Sequence, residues 1–238
     1  VNPSSQAVVV DGFSMVNETL MDGKSWEYHR RVYELWRIWD PWPPASLLQL
    51  SGPTERGSVT QAVWRDLAAE REYMSNEGVE RFTEVARVLA EERVDPPADL
   101  LPVNFELEFV AFGPSARGFI DIGADLDEAA ARQFGTVLTA VDLDYSALSA
   151  EQTQQLMDAA GLGATIPGDM VLRFGYLQDG ALHETEVWRS EQAARAFVDE
   201  LLQPEAARIA GTPEAIGFTV REVKRLAISS SGLDPARF

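Results

Sequence analysis

The chain has no cysteine, which removes disulfides, thiolate metal ligands and cysteine nucleophiles together. It has no apolar run near the roughly 20 residues that a membrane-spanning helix needs. Stretches such as Leu100 to Val103 or Val171 to Leu177 are only strand-sized. No basic region followed by an apolar stretch opens the sequence, so no secretory leader is read and a cytoplasmic location is expected. Positive charge is also scarce: 20 Lys and Arg against 38 Asp and Glu give a formal charge of −18 and a pI near 4.4. Phosphate backbones and anionic lipid would be repelled, so neither nucleic acid nor membrane is an expected partner.

Histidine is scarce too, with only His29 and His183. No His/Asp/Glu spacing suits a metal, and the Asp121, Asp125, Asp127 series misses the calcium-loop pattern. Gly161-Leu-Gly163 follows a helix rather than a strand and fails as a dinucleotide fingerprint. No Gly-X-Ser-X-Gly elbow or phosphate loop occurs. The expectation is therefore no metal and no cofactor, with a small-molecule ligand as the candidate partner.

What is present is a repeat. The 238 residues are 45% hydrophobic and 24% charged, the composition of a folded protein. Sliding the chain by 124 residues lays Val63-Trp64-Arg65 on Val187-Trp188-Arg189. Ala69 then meets Ala193, Arg71 meets Arg195, and Tyr73 faces Phe197.

The order of elements repeats as well. In the first copy, Ala7 to Val10 reads as a strand and Lys24 to Trp39 as a helix ended by Pro41, Pro43 and Pro44. Ser46 to Leu50 and Ser58 to Arg65 read as strands. Leu67 to Arg93 reads as a helix broken near Asn76 and Gly78, and Asn104 to Phe112 as a strand. In the second, the strand Thr136 to Val141 precedes a helix over Ala150 to Ala160, with Ser149 as N-cap and Gly161 past its end. Met170 to Leu177 and Leu182 to Arg189 form a hairpin across Asp179-Gly180. Ser190 caps a helix running toward Leu202, and Phe218 to Ile228 is the last strand.

Each copy is β-α-β-β-α-β, so the fold class is α+β, with two ferredoxin-like modules in tandem. The modules span residues 1–113 and 136–228. Residues 114–135 read as a linker in which Asp125 to Arg132 adds a short helix, and 229–238 as a mobile tail. A sheet with two helices leaves one face bare, so a monomer with an internal pseudo-dimer, or a homodimer, follows.

Two stretches carry a family resemblance: Thr185-Glu-Val-Trp-Arg-Ser-Glu-Gln-Ala-Ala-Arg-Ala-Phe197 and, more loosely, Gln61-Ala-Val-Trp-Arg-Asp-Leu-Ala-Ala-Glu-Arg-Glu-Tyr73. They resemble the dimeric α/β-barrel proteins grouped with the antibiotic biosynthesis monooxygenases. The resemblance implies two sheets packed face to face as an intramolecular dimeric α/β barrel. It also implies a cofactor-independent monooxygenase or a cyclase acting on aromatic or polyketide-like substrates. A non-catalytic binding or scaffold protein of the same fold, and a haem-binding protein, remain alternatives, because fold does not determine function.

The candidate residues follow from strand alternation. Trp64 and Trp188 either wall a substrate pocket or plug the corner between strand and helix. Glu184 and Glu186 share a face with Trp188 and are either a base with raised pKa or a solvated edge. His183 and Glu186 are the candidate catalytic pair; Trp188, Trp64, Tyr28 and Trp36 are the candidate substrate contacts. Either histidine could be a general base, a haem ligand or plain surface. The aromatics of the first helix, including Trp39, either line a cavity for a flat ligand or pack as core. Arg65 and Arg189 either orient an anionic group or pair with a nearby carboxylate.

Overall fold

In the computed structural model, residues 5–36, 42–43, 45–95, 102–121, 137–162, 165–229 and 233 are described. Trp39, the Asp125 to Arg132 segment and most of the C-terminal tail lie outside them. In chain order, β1 (Ser5–Gln6) and β2 (Val8–Val9) precede the first module. That module comprises β3 (Met15–Asp22), α1 (Trp26–Trp36), β4 (Ser46–Thr54) and β5 (Gly57–Trp64). It continues with α2 (Leu67–Tyr73), a π-turn (Met74–Gly78), α3 (Val79–Glu91) and β6 (Val103–Phe112). A 3-10 turn (Pro114–Phe119) and β7 (Ile120–Asp121) lead on. The second module comprises β8 (Leu138–Asp144), α4 (Ala150–Ala159), β9 (Thr165–Ile166), β10 (Met170–Gln178) and β11 (Ala181–Trp188). It ends with α5 (Glu191–Phe197), a second π-turn (Val198–Leu202), α6 (Gln203–Ala210), β12 (Gly217–Val223) and β13 (Arg225–Ser229).

Local signals explain most of these boundaries. Ser149 and the Gln152 side chain form a reciprocal capping box at the start of α4, and Ser190 accepts from the Ala193 N–H at the start of α5. Asp179 and Gly180 both have positive φ, 53° and 80°, as the two-residue turn between β10 and β11 requires. The break expected near Asn76 and Gly78 is a π-turn rather than a helix end. A π-turn carries one extra residue without interrupting the helix.

One strand differs from its expectation. The module's first strand is β3, whereas Ala7 to Val10 supplies only β2, laid against β6. The last strand is also divided: Phe218 to Ile228 bends at Lys224, whose N–H donates to the Ser51 carbonyl (2.9 Å). The expected linker begins with ordered elements, since β7 pairs in parallel with β13. Of the tail, Ser229 closes β13 and Leu233 is buried in the barrel cluster.

The bend makes the fold. The main sheet runs β12-β8-β11-β10-β6-β3-β5-β4-β13-β7. The first part of β6 lies on β3, and its C-terminal part lies on β10 of the second module. In the same way β12 lies on β8 and β13 crosses to β4 of the first module. Because β12 and β13 are one segment of chain, the ladder returns on itself as a barrel. Its interior is one apolar cluster containing Val16, Leu50, Phe112, Leu172, Phe174 and Val187. The helices cover the outside of each sheet with separate cores. The fold is thus two ferredoxin-like modules forming an intramolecular dimeric α/β barrel. Among the described residues no helix is long and apolar enough to cross a membrane.

Candidate functional site

Residue alternation decides what lies between sheet and helices. On β3 it turns Asn17, Thr19 and Met21 toward the helices, and on β5 it turns Thr60, Ala62 and Trp64 the same way. Gln49 joins them from β4. Tyr33 and Trp36 come from α1, Glu70 and Tyr73 from α2, and Met74 from the first π-turn. Together with Pro102 they line a partly open cavity of about 60 Å³, room for a few waters or a diatomic gas.

Its polar wall is organised around Thr60. The Tyr33 hydroxyl donates to Thr60 Oγ1 (2.9 Å), Ser51 Oγ lies 2.8 Å away, and His29 Nε2 lies 3.0 Å away. His29 Nδ1 contacts Ser58 Oγ (2.7 Å), so both ring nitrogens are engaged with hydroxyls. Neither is then available as an axial haem ligand. Burial, helped by the charge of Arg225, lowers the pKa of His29 to about 3, so the ring is neutral at physiological pH. Arg225 belongs to β13 of the second module. It packs 4.9 Å over the Tyr33 ring and donates to Gln49 Oε1 (3.1 Å). The second module therefore backs two residues of this wall, Tyr33 and Gln49, without lining the cavity itself.

Opposite Thr60, the Glu70 side chain is almost fully enclosed. Burial raises its pKa, against the weaker opposing effects of Arg71 and a hydrogen bond to Asn17. Three polar atoms on the same cavity are buried without a hydrogen-bond partner: Trp36 Nε1, Trp64 Nε1 and the Tyr73 hydroxyl. Trp36 Nε1 approaches Tyr73 closely enough to offset part of the rise that burial imposes on its pKa, but without hydrogen-bond geometry. Buried donors without acceptors are costly, and their grouping around one cavity is a sign of a ligand site. The Trp64 and Tyr73 rings, 5.8 Å apart, separate this cavity from an outer cleft of about 200 Å³ bordered by Pro43, Arg65 and Asn76.

The second module fills the equivalent space. Under the 124-residue offset, Arg173 replaces Gln49, Glu184 replaces Thr60 and Glu186 replaces Ala62. Arg173 forms a buried ion pair with Glu184 (Nη2 to Oε2, 2.8 Å) and donates to the Leu162 carbonyl (2.6 Å). Glu186 accepts from Trp188 Nε1 (3.0 Å), while its other oxygen has no partner. Burial and the neighbouring Glu184 push Glu186 up to about 8. The face carrying Glu184 and Glu186 is enclosed, not a solvated edge.

The structure brings together Trp64 and Trp36, and separately Trp188 and Glu186. His183 stands on the opposite face of β11 from Glu186. It stacks on Tyr176 (5.9 Å), with Nε2 3.7 Å from Asp144. Tyr28 lies outside the cavity and donates to the Asp95 carbonyl (2.9 Å). Sequence reasoning missed Asn17, Gln49, Glu70 and Tyr73. The offset held the signal: Glu70 faces Ala194 and Gln49 faces Arg173, each a change of charge on an enclosed face. Among the described residues no group of three acidic or histidine side chains could hold a metal ion.

No protein-family profile matches the chain, and no curated protein matches it either. Solved structures do. A candidate monooxygenase from Lactobacillus acidophilus NCFM superposes with a TM-score of 0.58 at 11% identity, covering 92% of this chain and 97% of that one. A second candidate monooxygenase, from Fusobacterium nucleatum, superposes with a TM-score of 0.59 at 10% identity, covering 91% and 95%. At such identities the likeness is one of fold, shared over nearly the whole chain.

Proposed function

We propose that the first module is the catalytic half of a cofactor-independent oxygenase acting on small, electron-rich aromatic compounds, including polyketide-like ones. The observation that carries this reading is the cavity in which a desolvated carboxyl, Glu70, faces three partnerless polar atoms on Trp36, Trp64 and Tyr73. Glu70 is the base. Its carboxylate takes a proton from an activated C–H of the substrate, leaving a carbanion delocalised into the ring system. The carbanion adds to dioxygen and the peroxide loses water. The net change is CH₂ + O₂ → C=O + H₂O, with all four electrons that reduce O₂ supplied by the substrate CH₂. The indole N–H groups and the Tyr73 hydroxyl donate to the oxyanion and the peroxide, a pre-arranged electrostatic role. The ring pair Trp64–Tyr73 parts to admit the substrate from the outer cleft.

The test is oxygen uptake with a panel of hydroxyarenes bearing an acidic CH₂, in chelator-treated buffer. One O₂ consumed per carbonyl formed, and loss of uptake in Glu70→Gln, are expected. Uptake no faster than in buffer for every compound, or an unimpaired Glu70→Gln, would defeat the proposal. A second reading, a binder without chemistry, is favoured by the outer cleft of about 200 Å³, which has more room than the inner cavity holding Glu70. It predicts saturable binding of the same compounds with no oxygen consumed.

A further inference from the structure

At one end of the barrel the two modules break their own symmetry and leave a hole. Glu18 and Asp142 occupy equivalent places on β3 and β8, 124 residues apart. Glu18 accepts from Gln61 (3.0 Å) and Asp142 from Thr185 (2.8 Å). On one side of this axis Phe105 packs on Tyr176 (4.9 Å), and Tyr176 on His183, closing that half with aromatic rings. The registers place Glu106 opposite Met15 and Glu222 opposite Thr139, so Arg221 is the counterpart of Phe105. Arg221 does not fill its half. It folds onto Asp142 (Nε to Oδ2, 2.6 Å) and onto Gln61 Oε1 (2.6 Å).

Beside it is a half-open cleft of about 400 Å³, lined from β3, β5 and the β4–β5 turn of the first module and from β8 and β12 of the second. Leu20, Val59 and Val220 give it an apolar side. Two polar atoms of its lining residues are buried without partners, Arg221 Nη1 and Thr54 Oγ1, and the Arg221 side chain is only 9% exposed. Glu18 and Glu55 add carboxylates on the same wall, and Arg56, paired with Asp22 (3.1 Å), adds an exposed guanidinium.

We propose that this cleft binds a free α-amino acid with an apolar side chain. Its carboxylate accepts from Arg221 Nη1 and Thr54 Oγ1, its ammonium lies on Glu18, and its side chain lies against Leu20, Val59 and Val220. A plain anion is disfavoured, because Asp142 and Asp22 already balance the two lining guanidiniums, Arg221 and Arg56, while Glu18 and Glu55 stand on the same wall and the chain carries −18. A plain amine leaves the two buried donors unsatisfied. A zwitterion meets both requirements with no net charge. This site is separate from the helix-side cavity and does not depend on the oxygenase reading.

Calorimetric titration of the full chain with L-leucine and L-phenylalanine tests the assignment, beside 3-methylbutylamine and 4-methylpentanoate, which each lack one end of leucine. Saturable binding of an amino acid is expected, with the single-ended analogues about tenfold weaker or worse. Thr54→Val and Glu18→Gln keep side-chain volume and leave the Arg221–Asp142 pair in place; each is expected to weaken binding by about tenfold while circular dichroism and Tm stay at wild-type values. Glu70→Gln should bind as wild type does, so failure here and failure of the oxygenase reading can be told apart. No saturable heat with either amino acid, equal affinity for the amine or the acid alone, or unweakened Thr54→Val and Glu18→Gln variants would overturn the proposal.

Discussion

Gln61 and Thr185 stand 124 residues apart in sequence and 3.4 Å apart in space, Thr185 Oγ1 against Gln61 Oε1 on the axis of the barrel. Residues equivalent by an offset can touch each other only on the axis that relates the two modules. The same offset relates Met15 opposite Trp64 to Thr139 opposite Trp188, and both β-bulges, Ser46/Leu48 and Met170/Leu172. It also relates the π-turns Met74–Gly78 and Val198–Leu202. The modules share a backbone and differ in what they place under their helices: a cavity in one, a buried ion pair in the other.

If Glu70 is the base, activity depends on its ionised form. Burial raises its pKa, so the acid limb of kcat/KM should lie above the ordinary glutamate range, falling about tenfold per pH unit below the midpoint. Glu70→Gln keeps the hydrogen bond to Asn17 and should lower kcat by about 10²-fold or more at unchanged Tm. A pH–rate profile of the wild-type protein with a normal glutamate midpoint would contradict the role.

His29 couples stability to acid. Its pKa is about 3 when folded, against 6.5 for a free imidazole. Below pH 6.5 the unfolded chain therefore binds a proton that the folded chain does not. The stabilisation is complete above that pH and is lost as pH falls toward 3, at about 1.4 kcal/mol per unit at most. Urea unfolding of wild type and His29→Gln across this window should show a shallower acid slope in the variant. Parallel slopes would mean that the imidazole is protonated in the fold.

Glu186 acts in the opposite direction. Its folded pKa of about 8 lies above the free value of 4.5, so between these values the folded chain holds the extra proton and stability falls as pH rises. Glu186→Gln keeps an acceptor for Trp188 Nε1 but has no charge to bury. It should unfold at higher temperature than wild type at pH 9 and near the wild-type temperature at pH 5. The reverse ordering would show an ionised, solvated carboxylate.

Much of this was legible in the residues. Val-Trp-Arg gave the offset, Asp179-Gly180 the turn, and Ser149 and Ser190 the helix starts, because each is a local device whose chemistry acts within a few residues. β3 was not legible. Its Asn17 and Thr19 face a polar cavity and its Glu18 faces the axis, so the strand lacks the apolar alternation that marks a buried one. Local rules fail most often where a site requires it. The burial of Glu184 was hidden for a different reason: its partner Arg173 lies on the neighbouring strand, and only the register between β10 and β11 brings the charges together. Breaking that pair with Glu184→Gln should cost about 3 kcal/mol or more, since it strands a buried guanidinium.

The two equivalent tryptophans separate the modules most directly. Trp64 Nε1 has no partner and faces a cavity, whereas Trp188 Nε1 donates to a buried carboxyl. Both rings pack against an aromatic of the following helix, Tyr73 at 5.8 Å and Phe197 at 5.1 Å. Replacing either by Phe therefore removes a similar amount of packing, but only Trp188→Phe removes a hydrogen bond. Trp188→Phe leaves Glu186 without any partner and should lose about 2 kcal/mol of stability beyond the loss in Trp64→Phe. Trp64→Phe should instead lose turnover, through a lowered kcat rather than a raised KM, because its N–H acts on charge that develops only during the reaction. Chemical denaturation and steady-state kinetics on the two variants give the comparison. If Trp188→Phe lost the activity and Trp64→Phe the stability, the catalytic half would be the second module and not the first.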